Sequence, residues 1–303
     1  MPTPPLTEQR NPRTADIDLA DPLAIVDLLN AEDRLVPDAV ATQREAIAAV
    51  IVAAERAFRG GGRLLYIGAG TSGRLGVLDA SEMAPTFGAD HTLVQGIIAG
   101  GPAALTRSQE GAEDDLADGA RQVDVLNVWT EDVVIGIAAS GNTPWVRAAL
   151  ARARERGATT ALIACSPPAD EMLAVVDLPI VVQVGPEAIT GSTRMKAGTA
   201  TKLVLNTITT GAMVRIGKTY GNLMVDLRAT NAKLRDRSER IVMEVTGAGR
   251  ETARELLDHA DGAVKVALVM HKFGVDAAEA RRRLDAAGGV IRHVIPGSPP
   301  PVR

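Results

Sequence analysis

Two glycine-hydroxyl loops and a pair of carboxylates hold most of the chemical content of this 303-residue chain. The first loop is Gly68-Ala69-Gly70-Thr71-Ser72-Gly73 and the second is Ser140-Gly141-Asn142-Thr143-Pro144. Each reads as the link between an apolar strand and a helix. Ser72, Ser140 and Thr143 bring hydroxyl donors, Gly70, Thr71, Gly141 and Asn142 bring exposed backbone N–H groups, and the two helix N-termini favour an anion. No neighbouring Lys answers the charge of a triphosphate, so a single phosphate monoester suits the pair best. Ser and Thr at such places also serve as plain helix caps. Glu82, in Asp79-Ala80-Ser81-Glu82-Met83-Ala84-Pro85, and Glu113, in Glu110-Gly111-Ala112-Glu113-Asp114-Asp115, are the acid/base candidates. A carboxylate near neutral pH can both give and take a proton if burial raises its pKa. The same positions are also those of ordinary solvated charges at helix ends. Glu187 follows the last strand, and Ser192, Thr193, Arg194 and Lys196 open the next helix, where the two cations could meet an anionic substrate or form a solvated first turn.

Other patterns lead nowhere. The first loop fits G-x-G-x-x-G, but a dinucleotide site also needs an acid closing the second strand. Asp90 precedes that strand, and 96–101 carries no acid. Gly217-Lys218-Thr219 lacks the correctly spaced glycine of a P-loop, since Gly211 is one residue too far. His91, His259, His271 and His293 show no metal-ligand spacing, and the single Cys165 allows neither an internal disulfide nor a thiolate cluster. A net charge of −4, three Phe, two Trp and two Tyr argue against nucleic acid, leaving Arg281-Arg282-Arg283 as a solvated helix face. The hydrophobic share of 46% with 23% charged residues is a globular composition. No apolar run reaches the length of a membrane helix and the polar N-terminus has no signal-peptide core, so a soluble cytoplasmic protein is expected.

The elements that must position these residues follow from pattern. Residues 1–20 read as a Pro-containing arm, Asp21-Pro22 as a cap followed by Pro at the first helical position, and 37–59 as one helix ended by Gly60-Gly61-Gly62. Strands are expected at 63–69, 91–98, 132–139, 159–165 and 178–184, apolar on both faces as in a parallel sheet covered by helices. Helices are expected from Ser72, near 103–107, and over 114–126 and 143–156, with no strand beyond Ser192. Residues 221–303 read as several helices with turns at Gly247-Ala248-Gly249 and Gly288-Gly289, and 296–301 as a frayed end. The division is an arm with helices over 1–50, an α/β domain over 51–220 and a helical region over 221–303.

The two strand–loop–helix units together resemble the sugar isomerase (SIS) domain, which binds phosphosugars. Longer stretches resemble one family, N-acetylmuramic acid 6-phosphate etherase. They are 7–12 (TEQRNP), 68–88 (GAGTSGRLGVLDASEMAPTFG), Ile98-Ala99-Gly100-Gly101 with 110–115, and 191–201 (GSTRMKAGTAT). Asn30-Ala31-Glu32-Asp33 and the C-terminal segment fit as well, so the likeness covers nearly the whole chain.

The resemblance implies a three-layer α/β/α sandwich with a five-stranded parallel sheet and helical extensions at both ends. It further implies a homodimer without metal or nucleotide, acting on N-acetylmuramate 6-phosphate to give N-acetylglucosamine 6-phosphate and D-lactate. By that likeness Glu82 and Glu113 are the acid/base pair, Glu82 donating to the leaving lactate. Met83-Ala84 stands where relatives often carry other residues before the Pro. Two rivals remain: an aldose–ketose phosphosugar isomerase with Glu187 as base, and a non-catalytic phosphosugar sensor that keeps Ser72, Ser140 and Thr143 but has no need for Glu82 and Glu113 together.

Overall fold

The computed structural model of the chain describes residues 4–227, 229, 231–297 and 299. They form two compact units: Met1–Ser81 with Thr92–Thr209, and Glu82–His91 with Thr210–Arg303.

The first unit starts with 3-10 turns over the arm and then α1 (Pro22–Asp33), α2 (Leu35–Ala41) and α3 (Arg44–Arg59). Asp21 caps α1 by accepting the Ala24 N–H at 2.9 Å, with Pro22 at the first helical position, as the sequence predicts. The single helix expected over 37–59 is instead two, broken at Thr42-Gln43. The break frees Gln43 to reach the sheet, where its Oε1 accepts the Val181 N–H at 3.1 Å and covers part of the outer edge of the last strand.

Then strand and helix alternate: β1 (Leu64–Gly68), α4 (Gly70–Ser81), α5 (Met83–Phe87), β2 (Val94–Ile98), α6 (Leu116–Val125), β3 (Val133–Ile137), α7 (Pro144–Glu155), β4 (Thr159–Ala164), α8 (Asp170–Leu173), β5 (Leu178–Val181) and α9 (Lys196–Arg215). The five strands pair in parallel in the order β2-β1-β3-β4-β5. All residues of β1 and β3 are buried, which is why these runs are apolar throughout rather than alternating. Leu65, Ile67, Val134 and Leu162 pack with Trp145, Val146 and Leu150 of α7 and Val123 of α6. On the opposite face α4 lies against β1, where Tyr66 donates its hydroxyl to Asp79 Oδ2 at 2.9 Å. Asn206 and Thr209 of α9 donate to the other oxygen of Asp79 at 2.6 and 3.3 Å, so one buried carboxylate ties strand, α4 and α9 together. These are the three layers the resemblance implies.

The second unit contains α5, a two-stranded antiparallel hairpin of β6 (Thr219–Tyr220) and β7 (Leu223–Met224), then α10 (Ala232–Thr246), α11 (Arg250–His259), α12 (Val264–Phe273), α13 (Ala277–Ala286) and α14 (Ile291–Val294). The hairpin corrects the expectation of no strand beyond Ser192. Each strand is two residues long, too short for periodicity to register, and Gly221, at φ +60°, makes the turn. The helices share a core that includes Ile241, Val242, Leu257, Val264, Leu268 and Leu284. Gly247 ends α10 in the left-handed conformation, at the turn the sequence marked. The expected frayed end over 296–301 includes Ser298, Pro300 and Pro301, which lie outside the described residues.

Candidate active site

The chain passes from β1 to β2 on one side and returns to β3 on the other, so the loops after β1 and β3 open at the sheet's switch point. Gly68 pairs with Ile137 at the carboxyl ends of these neighbouring strands, which puts the two hydroxyl-rich loops side by side. Gly70 takes φ +52° to start α4 directly from the strand. Gly73 lets the helix sit down on the sheet: a Cβ there would stand 2.5 Å from the Gly68 carbonyl oxygen and 2.6 Å from Ile98 Cγ1. The glycine spacing of this loop thus serves close helix–sheet packing, with the first-turn N–H groups of Gly70, Thr71 and Ser72 left without intrahelical acceptors.

In the second loop Gly141 takes φ +77° against Pro168, and Ser140 Oγ accepts the Asn142 N–H at 3.3 Å. Thr143 occupies the N-cap position of α7, yet its side chain makes no capping hydrogen bond. Plain capping therefore does not account for this threonine, and its hydroxyl is available to a ligand. The arm adds a wall, since Gln9, Pro4 and Leu6 line a cavity of about 400 Å³ together with Ser140, Asn142 and Gln183.

Glu113 lies in a 3-10 turn, Ala112–Asp114, and is exposed. Gly100 and Gly101, both at positive φ, fold the segment after β2 back so that Gln109 and Ala112 lie against Gly100. This places Glu113 on a cavity of about 140 Å³ with Ala69, Gly70, Arg74 and Glu110. One carboxylate and the first glycine-hydroxyl loop therefore share a cavity. Arg74, which lies inside the 68–88 stretch but is not among the site candidates, shares it too; its position one helical turn after Gly70 is the available signal.

Glu82 follows Ser81, the last residue of α4, and is exposed. At 1.5 Å per residue the far end of α4 is about 17 Å from its Gly70 end, the length of the helix. The expectation that burial raises a catalytic carboxylate is not met within one chain, because Glu82 and Glu113 are both exposed. The carboxylate that burial does push up is Glu187. It is fully buried and accepts the Lys196 and Ala197 N–H groups at 3.0 and 2.9 Å, filling the N-terminus of α9. With both oxygens committed, it is poorly placed to be the base of an isomerase.

Lys196 is 1% exposed, and its Nζ donates to Glu32 Oε2 at 2.5 Å. The Arg13 guanidinium and Asn11 Nδ2 also donate to Glu32, whose carboxyl the Arg13 hydrogen bonds, aided by Lys196 and Asn11, hold down at about 2 against the opposing effect of burial. Asn11 further donates to the Pro186 carbonyl, Thr14 to Ala188, and the Gly191 N–H to Thr7. The buried network stitches arm, α1 and the approach to α9 together, and Lys196 is part of it rather than an open cation. Arg194 is exposed, while Ser192 and Thr193 are half-buried. Gly198 sits against the Thr193 carbonyl and Thr71 Cγ2, so the 191–198 segment borders the first loop. Asn11, Glu32 and Asp79 all fall in the stretches that carry the family resemblance, but none is among the site candidates, since polar type alone does not reveal burial.

Among the described residues no group of three or more His, Cys, Asp or Glu side chains converges as metal ligands do, and no helix is long and apolar enough to cross a membrane. Cys165 is buried, its thiol pushed up to about 12 by desolvation, as suits a small core residue. Arg282 and Arg283 pair with Glu279, and Arg281 with Asp261, on α13 and its neighbours.

Residues 45–154 match the family described as the glucokinase regulatory protein N-terminal SIS domain. Among curated proteins the chain is 51% identical over 286 residues to the N-acetylmuramic acid 6-phosphate etherase of Cutibacterium acnes, covering 94% of each chain. It is 52% identical over 289 residues to the enzyme of that name from Yersinia pestis (strain Pestoides F), covering 95% of this chain and 97% of that one. Among solved structures, a phosphoheptose isomerase from Francisella tularensis aligns with 61% of this chain and 96% of its own, at 16% identity and a TM-score of 0.45.

Proposed function

The chain belongs to the N-acetylmuramic acid 6-phosphate etherase family, and from that premise we propose how its residues cleave the D-lactyl ether. The 6-phosphate is held by the N–H groups of Gly70, Thr71, Ser72, Gly141 and Asn142 and the hydroxyls of Ser72, Ser140 and Thr143. Ser192, Thr193 and Arg194 border that site, while Glu187 and Lys196 support it by fixing the start of α9. Opening of the sugar ring exposes a C1 aldehyde, which acidifies the proton on C2. Glu113 takes this proton as general base. The C2–C3 double bond forms as the C3–oxygen bond breaks, and Glu82 protonates the departing D-lactate. Water then adds at C3, giving its proton to a carboxylate, while C2 is reprotonated to give N-acetylglucosamine 6-phosphate. The overall change is substrate plus water to two products, with no electrons gained or lost.

A homodimer fits this reading. Thr71, Leu75 and Leu78 recur at helical spacing along one side of α4, Glu82 comes next in the chain after the helix ends, and Leu78 is 55% exposed. Two copies packed antiparallel along this stripe would bury it and bring Glu82 of one copy to the Gly70 end of the other. The reaction belongs in the cytoplasm, because a charged sugar phosphate does not cross a bilayer unaided.

The observation that carries this reading is the convergence of two anion-accepting loops at one switch point with a carboxylate on the adjoining cavity. The test is D-lactate release from N-acetylmuramate 6-phosphate. Replacing Glu82 or Glu113 by Gln is expected to slow release by about 10²–10⁴-fold with N-acetylglucosamine 6-phosphate binding intact. Binding without release by folded wild-type protein would favour the sensor.

A further inference from the structure

The substrate in the proposed reaction carries two anions, and the loops described so far account for one. The 6-phosphate is matched by amides and hydroxyls at the switch point. The lactyl carboxylate hangs from the C3 oxygen, one carbon from the C2 proton that Glu113 is proposed to remove. A general base works at hydrogen-bond reach of its proton, so with Glu113 as the base the C3 ether and its lactyl group lie next to the Glu113 cavity. That cavity, about 140 Å³, is small beside a complete ligand site of roughly 300–1,000 Å³ and suits a three-carbon side group rather than the whole sugar.

Two glutamates, Glu110 and Glu113, line it and would repel an unbalanced carboxylate. Of the side chains that line it, one is a cation, Arg74. Its Nε–H donates to the Leu105 carbonyl at 3.1 Å, which fixes the guanidinium by one edge. No ion pair engages Arg74 among the described residues, unlike Lys196 and Arg13, which are tied to Glu32. A planar guanidinium with free Nη groups offers the paired donors that a carboxylate accepts best.

We propose that Arg74 binds the lactyl carboxylate and orients the leaving group, giving the site its preference for the lactyl sugar over its product. The inference rests on the etherase reading above and extends it to substrate selection.

The experiment compares wild type with Arg74→Gln and Arg74→Lys, reading KM and kcat for D-lactate release and the inhibition constant of N-acetylglucosamine 6-phosphate, which has the phosphate but no lactyl group. Arg74→Gln is expected to raise KM by about 10- to 100-fold and to leave the inhibition constant of the product within about twofold. Arg74→Lys, keeping the charge without the fork, is expected to fall between. A substrate whose lactyl carboxylate is converted to the amide should lose affinity for wild type and lose nothing further with Arg74→Gln. An equal loss for substrate and product, or an unfolded Arg74→Gln with Arg74→Lys weakening both ligands alike, would overturn the proposal by assigning Arg74 to the phosphate or the fold. An unchanged KM in Arg74→Gln would overturn it as well. Failure of wild type to release lactate would instead remove the etherase reading itself.

Discussion

At the scale of single residues, the chain separates charges left open at the surface from charges that meet each other. Glu32 and Lys196 are buried together, and the carboxyl of Glu32 is held at about 2 against an ordinary 4.5. A depressed folded-state pKa contributes stability that is complete above about 4.5 and disappears as pH falls toward 2. In wild type this contribution is on the order of 3 kcal/mol, and Glu32→Gln should flatten the acid limb of a stability–pH curve measured by urea unfolding between pH 5 and 2. Lys196→Met removes one partner of a buried pair, a change that costs about 3–5 kcal/mol where nothing else pairs the remaining charge. Because Arg13 and Asn11 still hold Glu32, a loss near the lower end is expected, and a variant as stable as wild type in thermal unfolding would contradict this account. In the sequence, Lys196 and Arg194 have the same standing. Their difference is burial, which depends on what the arm and α1 bring over the start of α9.

At the scale of elements, α4 decides most of the site. Its start presents the first-turn amides proposed to hold the phosphate and carries Arg74, and Glu82 follows its end. Its seat on the sheet is set by Gly73, Gly76 and Gly96, where a Cβ would stand 2.5 to 2.9 Å from Gly68, Tyr66 and Val77 respectively. Gly73→Ala should therefore cost about 1–3 kcal/mol by overpacking. It should also lift the amides away from the ligand, so weaker binding of N-acetylglucosamine 6-phosphate is expected beyond any loss of stability; isothermal titration of the folded variant reads this directly. The other end of α4 is held by Asp79. Tyr66→Phe deletes one of the donors to that carboxylate and is expected to cost about 1–2 kcal/mol, measured by chemical denaturation. The sequence marks the strands within a few residues because both-face burial leaves continuous apolar runs. It does not mark the break between α2 and α3, because Gln43 is an adequate helix residue and leaves the helix only to cover the edge of β5.

At the scale of the whole molecule, a single chain leaves Glu82 exposed just past the end of the helix whose start is proposed to bind phosphate. If two copies exchange these ends, co-expression of Glu82→Gln and Glu113→Gln chains should restore activity that neither variant has alone. Random assembly makes about half the dimers mixed, each with one intact site of two, so about a quarter of wild-type lactate release is expected. No recovery by verified mixed dimers would return both carboxylates to one chain.

The sequence by itself determined the parallel α/β architecture, the two loops, the acid/base candidates and the family. Each of these is local: an apolar run of strand length, glycines ahead of a helix, a motif read in order. Tertiary structure decided what cannot be local. It put the loops after β1 and β3 side by side through the strand order, and it set Glu113 beside Arg74 through the turn at Gly100-Gly101. It also took Glu187 and Lys196 out of solvent, the first onto backbone N–H groups of α9 and the second onto Glu32. A charge in a sequence has no stated surroundings. Only the packing of distant segments fixes whether it faces a ligand, water or another charge.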